Sequence, residues 1–205
     1  YTILSTGGTA KKLRAAGLDV IGVSDVTGHP EIFDGRVKSL HPAIHGPLLA
    51  RLESEVDRIG LEELGYPPIS IVACNLYPFT DAAKQEPRLA DEALLEMIDI
   101  GGPTMVRAAA KNFKNVTIVT NKNDYKPLIG ELEKNKGKTS FSFREYMSSK
   151  AFGLTAYYDS MIANWFNNKL NIKFPERKTL FGRKLKELRY GENPHQESSI
   201  YVNDY

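Results

Sequence analysis

Two short apolar runs constrain this chain most: Ile69-Ser70-Ile71-Val72-Ala73-Cys74 and Val116-Thr117-Ile118-Val119. Neither alternates like a strand with one wet face, so each predicts a strand buried on both sides and covered by helices. The chain between and after them supplies those helices. Leu and Met recur at helical spacing over 89–98, the pattern continues over 104–112, and Asp124 reads as the cap of a further helix over 124–135. Nearer the start, Tyr1-Thr2-Ile3-Leu4 is β-prone, 10–16 reads as a helix stopped by Gly17, and 19–23 is a second strand-like stretch. This alternation predicts an α/β fold, a parallel sheet flanked by helices.

The stretch 140–170 has another rhythm. Phe143, Met147, Phe152, Leu154, Tyr158, Met161, Trp165 and Phe166 recur mainly at three- and four-residue steps with no internal proline, which predicts one long amphipathic C-terminal helix. An aromatic stripe at that spacing is a packing face, against a sheet or a partner subunit, and carries no chemistry. Beyond it, Lys173, Pro175, Glu176, Arg177 and Lys178 read as a connector. The abrupt opening on a strand predicts that a segment precedes Tyr1 in the full protein. A net charge of +2, with both signs interleaved, argues against a nucleic-acid surface. The single cysteine, Cys74, excludes an intrachain disulfide, and no apolar run suits a bilayer. A cytoplasmic protein with no nucleic-acid or membrane partner is the expectation.

Four places carry polar residues outside the apolar periodicity. In Ser5-Thr6-Gly7-Gly8-Thr9, two glycines free backbone N–H groups, hydroxyls add donors, and the following helix directs its positive end to the same spot. A phosphate suits such a turn, although a plain strand-to-helix turn capped by Thr9 has the same composition. In Gly35-Arg36-Val37-Lys38-Ser39-Leu40-His41-Pro42, Arg36 can fork onto a phosphate and Lys38 can reach an oxyanion; a solvated basic turn is the bland alternative. His41 and His45 stand four apart, but no third ligand follows at metal spacing, so capping or hydrogen bonding is expected of them and no metal.

The third place, Cys74-Asn75-Leu76-Tyr77-Pro78-Phe79, follows the best core strand, where open α/β sheets form their ligand crevices. Asn75 can pair with a carboxamide or base edge and Tyr77 can give a proton, unless Tyr77 and Phe79 merely cap the core. Cys74, with no base beside it, reads as a small buried hydrophobe. The fourth place is Ile98-Asp99-Ile100-Gly101-Gly102-Pro103-Thr104, with Arg107 and Lys111 on the helix that follows. Gly101 and Gly102 offer N–H donors to a developing oxyanion, and Lys111 would complete an acid/base pair by folding back to Asp99. The structural alternative makes Asp99 a helix cap and Arg107 and Lys111 an exposed pair.

The segments STGGTAKKL, GRVKSLHPAIHG, VACNLYPF and IDIGGPTMVRAAAKN, in this order over residues 1–170, resemble the successive signatures of the IMP cyclohydrolase domain of the bifunctional AICAR transformylase/IMP cyclohydrolase family. The later stretch LRYGENPHQ resembles the opening of that family's transformylase domain. The resemblance implies a methylglyoxal-synthase-like fold over 1–170, a linker over 171–187 and the start of the transformylase domain over 188–205. It implies closure of 5-formamidoimidazole-4-carboxamide ribotide to IMP with loss of water. Lys38, Tyr77, Asp99 and Lys111 would line the reaction centre. Ser5, Thr6, Gly7, Gly8, Thr9, Arg36, Ser39, Asn75, Gly101 and Gly102 would bind substrate, and Arg189 and Tyr190 would hold ribotide in the transformylase site.

It further implies a homodimer, no cofactor for ring closure, and 10-formyltetrahydrofolate for the transformylase activity of the full-length protein. Pro47 departs from the family's usual small residue, with local consequences expected near a helix start. Two other readings stay open: a regulatory module of the same fold that binds a phosphorylated metabolite without catalysis, and methylglyoxal synthase itself.

Overall fold

Short β-branched runs, each followed by a turn and an amphipathic stretch, give in the computed structural model a series of very short strands between helices; residues 1–87 and 89–203 are described. In chain order the elements are β1 (Ile3–Ser5), α1 (Gly7–Ala15), β2 (Val20–Gly22), α2 (Val23–Thr27), α3 (Pro42–Leu49), α4 (Glu55–Glu63), β3 (Ile71–Ala73) and α5 (Phe79–Ala83). They continue with α6 (Asp91–Leu95), α7 (Gly101–Lys111), β4 (Thr117–Val119), α8 (Tyr125–Lys134), α9 (Phe141–Lys169), β5 (Arg183–Glu187) and β6 (Ser199–Val202). Strand β1 pairs parallel with β2, Ile3 opposite Val20, and β3 pairs parallel with β4, Val72 opposite Ile118. The predicted parallel sheet is thus realised as two separate two-stranded ladders, with mixed α/β architecture around them.

Several boundaries differ from expectation. The helix expected over 10–16 begins at Gly7, which makes Thr6 rather than Thr9 its N-cap. The one expected over 89–98 is only the five-residue α6, and the one expected over 104–112 begins three residues early, at Gly101. Asp124 caps nothing with its side chain. Asn121 instead accepts a hydrogen bond from the Asn123 N–H and starts a 3-10 turn, while the Asp124 carboxylate pairs with Lys150 at 2.5 Å. Pro47 lies inside α3, beyond its first turn, and so removes one main-chain hydrogen bond that the helix would otherwise make.

The chain forms two compact units. The first comprises Tyr1–Leu76 and Asp99–Phe152. Its core gathers Ile44 and Leu48 of α3, Val72 of β3, Val106, Ala109 and Ala110 of α7, Ile118 of β4, and Met147 and Ala151 of α9. The run of alanines on α7 lets neighbouring backbone come close, and polar groups then bridge it. The Asn112 amide, at the end of α7, donates to the Leu48 and Ala50 carbonyls at 2.9 and 2.8 Å, tying down the end of α3. The Ser148 hydroxyl donates to the Ala110 carbonyl at 2.7 Å.

The second unit comprises Tyr77–Ile98 and Gly153–Tyr205, within the described residues. Phe79 is its buried centre, edge-on to Trp165 at 5.8 Å and to Tyr158 at 6.4 Å. The Tyr158 hydroxyl donates to the Met97 carbonyl at 3.0 Å, so the buried phenol keeps its polar end satisfied. Along α9, Met147, Ala151, Thr155, Tyr158, Met161 and Trp165 are buried at the predicted spacing, whereas Phe152 is 38% exposed, with Arg107 over its ring. The antiparallel β5–β6 hairpin begins within the stretch read as a connector; Arg183-Lys184-Leu185-Lys186-Glu187 is exposed throughout and gave no apolar signal.

Because Asn112 holds two carbonyls in the first unit's interior, Asn112→Ala is expected to lower stability by about 2–3 kcal/mol, as leaving buried acceptors unpaired does. Urea denaturation followed by circular dichroism measures it, and a loss under about 0.5 kcal/mol, the range of ordinary surface substitutions, would show the bridge to be dispensable.

Candidate functional site

The site is built where α1 begins. Thr6 is extended and Gly7 adopts φ +55°, a left-handed conformation in which a side chain would be strained. The first N–H groups of α1 have no acceptor within the helix, so they and the helix dipole present donors and positive potential at this turn. The Thr6 hydroxyl makes no cap; it donates to the Glu31 carboxylate. A cavity of about 290 Å³ opens here, lined by Ser5, Thr6, Gly7, Lys11, Arg14, Ser24, Asp25 and Glu31 among others. Asp25 accepts from the Gly22 N–H at 3.0 Å and Arg14 donates to the Val20 carbonyl at 2.9 Å, which fixes the far wall.

A tight turn over 32–37 brings the second motif to this place. Ile32 and Val37 pair antiparallel, and Phe33, Asp34 and Gly35 take φ of 52°, 53° and 83° to close the turn. Residues 31 and 38 flank that pair on opposite strands, so Glu31 and Lys38 leave the turn side by side. A methyl group added at Gly7 would stand 3.8 Å from Lys38 Nζ, and one at Gly35 would stand 3.9 Å from it. The Lys38 ammonium therefore lies against the Gly-Gly start of α1. Its neighbour Ser39 reaches the other Gly-Gly start: a methyl at Gly101 would stand 3.1 Å from Ser39 Oγ.

At that second start, Asp99 Oδ1 accepts from the Gly102 N–H at 2.8 Å, the capping geometry allowed by sequence. A methyl at Gly102 would fall 2.2 Å from Asp99 Oδ2, so only glycine leaves room for the carboxylate. Burial, and then the charge of Asp99, pushes the Cys74 thiol up to about 11, which keeps it protonated and poorly nucleophilic at neutral pH. Asn75 follows β3 and is exposed. Ser5 to Thr9, Arg36 to Ser39 and Asp99 to Gly102 all belong to the first unit, and Lys38 and Ser39 join them.

Lys111 is exposed at the last position of α7, about 15 Å of helical rise from Gly101, and an unbroken helix cannot fold it back to Asp99. Tyr77 belongs to the second unit and is 47% exposed, its carbonyl accepting from the Phe79 N–H at 2.8 Å. Arg189 and Tyr190 lie exposed between β5 and β6, also in the second unit. Glu31, Lys11 and Arg14 also line the cavity, outside the four polar places. Lys11 and Arg14, three apart just after a Gly-Gly turn, were a readable signal; Glu31 depends on the register of the 32–37 turn and was not.

His41 caps α3, its Nδ1 accepting from the Ala43 N–H at 3.1 Å. His45 hydrogen-bonds the Ser39 backbone while its Nε2 is buried with no partner, and burial lowers its pKa. Among the described residues no three His, Cys, Asp or Glu side chains are grouped to hold a metal ion. Since the unfolded chain takes up a proton near pH 6.5 and folded His45 resists it, stability is full above that pH and falls as pH drops below it. The melting temperature of the wild type should thus fall more steeply between pH 7 and 5 than that of His45→Gln; parallel curves would remove His45 from the account.

Comparison with known proteins adds the following. Residues 1–104 match the model of the MGS-like domain, and residues 109–205 match the model of the AICARFT/IMPCHase bienzyme. The chain is 50% identical to the bifunctional purine biosynthesis protein PurH of Thermoanaerobacter sp. (strain X514), over 99% of this chain and 40% of that protein. It is also 50% identical to the PurH of Persephonella marina, over 99% of this chain and 39% of that protein. The chain thus spans about two fifths of the length of the curated relatives it matches. The crystal structure of ForH superposes with a TM-score of 0.71 at 34% identity, covering 81% of this chain and 86% of that one.

Proposed function

The chain belongs to the family of MGS-like domains, and from that premise we propose that it performs the IMP cyclohydrolase step of purine biosynthesis, closing 5-formamidoimidazole-4-carboxamide ribotide to IMP with loss of water. The observation that carries this is the double contact of the 38–39 segment, Lys38 against the start of α1 and Ser39 against the start of α7. Ring closure asks a weakly nucleophilic carboxamide nitrogen to attack a formyl carbon. A base must orient or take the amide proton, and donors must stabilise the oxyanion that forms.

In the proposal, Ser5, Thr6, Gly7, Gly8 and Thr9 hold the ribotide phosphate, with Arg36 as a further cation and Asn75 pairing the carboxamide. Asp99 orients the amide proton, Lys38 stabilises the oxyanion, and Tyr77 gives a proton to the departing hydroxyl, which leaves as water. The role that its motif implies for Lys111 has no support in this geometry, and the proposal rests on Lys38 instead. A regulatory module would need the phosphate turn but not Asp99 set beside a cationic loop, which favours an enzyme.

For the whole protein we further propose residues 1–170 as the cyclohydrolase domain, 171–187 as a linker and 188–205 as the start of a transformylase domain, in a cytoplasmic homodimer. No helix of the described residues is long and apolar enough to cross a membrane. The formyl donor of the transformylase reaction would be 10-formyltetrahydrofolate. Residues 183–202 form an almost wholly exposed hairpin.

Incubating the chain with the formamido ribotide and following ultraviolet absorbance tests the reading. IMP should form without folate or metal, and Lys38→Ala should slow it by about a hundredfold or more while leaving circular dichroism unchanged. Gly102→Ala should also cut the rate, because its methyl displaces Asp99, although alanine favours the helix itself. Ribotide binding with no conversion would support the regulatory module, and methylglyoxal release from a triose phosphate would support the synthase.

A further inference from the structure

Glu31 stands in an unusual place for a carboxylate. It accepts a hydrogen bond from the Thr6 hydroxyl, at a turn whose glycines, helix start and neighbouring lysine all favour an anion. Its other oxygen lies against Gly35, where an added methyl would be 3.5 Å from Glu31 Oε2 and 3.9 Å from Lys38 Nζ. The carboxylate and the ammonium thus border the same glycine. This follows from the Ile32–Val37 pairing, which sets residues 31 and 38 side by side. Glu31 also lines the cavity beside the turn, and the residue is exposed, so its side chain has water to move into.

We infer that Glu31 is an affinity-setting residue of the anion seat: its carboxylate occupies the Thr6 hydroxyl in the empty site and must leave when a ligand phosphate arrives. The inference rests on the proposed function, which puts the ribotide phosphate at Ser5 to Thr9. The physics is competition. A hydroxyl proton already given to a carboxylate is not free for a phosphate, and two anions on one donor repel. Every phosphate ligand therefore bears the same displacement cost, whatever its base or sugar. A bare phosphate has few other contacts to offset that cost, whereas a ribotide has many, so the carboxylate keeps the seat clear of free phosphate in a way a neutral residue would not.

Isothermal titration of the full chain with inorganic phosphate and, separately, with IMP reads this directly. Glu31→Gln keeps the side-chain shape and an acceptor for Thr6 but removes the charge; Glu31→Ala removes both. Each variant should bind both probes roughly tenfold tighter, the scale of one charge-assisted hydrogen bond no longer given up, and by similar factors for the two. If the wild type binds IMP and either variant binds it equally or more weakly, Glu31 is a strut of the turn and the inference fails while the functional reading stands. If neither wild type nor Glu31→Gln binds IMP, the functional reading fails and the inference with it.

Discussion

Lys38 and Ser39 are adjacent in sequence, yet each rests against a glycine that begins a different helix, and the polar site depends on that double contact. At Gly101 the approach is tight enough that an added methyl would press on Ser39 Oγ at 3.1 Å, whereas at Gly7 and Gly35 it would only touch Lys38 Nζ, at 3.8 and 3.9 Å. Gly7 and Gly35 also need their positive φ to turn the chain there. The loop is held from behind. His41 caps α3 through Ala43, and His45, one turn further along α3, hydrogen-bonds the Ser39 backbone. Two imidazoles that the spacing alone offers as a metal pair instead fix the loop that carries the proposed reacting lysine.

The frame beneath is made rigid by how little α7 projects. Ala108, Ala109 and Ala110 are buried, so the backbones around α7 pack closely, and Asn112 then closes the end of α3 with two hydrogen bonds. The C-terminal end of α7 is thereby anchored in the core of the first unit. At the other end stands Asp99, on the Gly102 N–H.

The sequence made the α/β alternation and the long helix legible because both are written in apolar spacing: β3, β4 and the stripe from Met147 to Trp165 fall where the pattern put them. It overstated α6, whose Leu and Met spacing runs beyond the five helical residues, and it missed β5, whose residues are all exposed. The same distinction holds in the site. Gly-Gly turns beside hydroxyl, basic and acidic residues announce donors and charges, so Ser5 to Thr9, Lys38 and Asp99 were readable. Lys111 is limited by helix geometry, which its motif does not show: ten residues of unbroken α7 put it out of reach of Asp99. Glu31 was invisible because its position is a matter of register across a turn containing two non-glycine residues at positive φ.

Two carboxylates of the site, Asp99 and Glu31, are held in opposite ways, and this separates their roles. Asp99 accepts from the backbone of a helix start, and the space where a Gly102 side chain would go is filled by its own oxygens. It therefore cannot move without unmaking the cap. Glu31 accepts from a side-chain hydroxyl at an exposed position, so water can replace that contact at small cost. Each helix start contributes about half a positive charge, and Lys38 contributes a full one. These are opposed by the carboxylates of Asp99, Glu31 and Asp25. Under the proposed function, an arriving phosphate would displace the loosely held Glu31 and leave Asp99, held by its cap, as the fixed negative group.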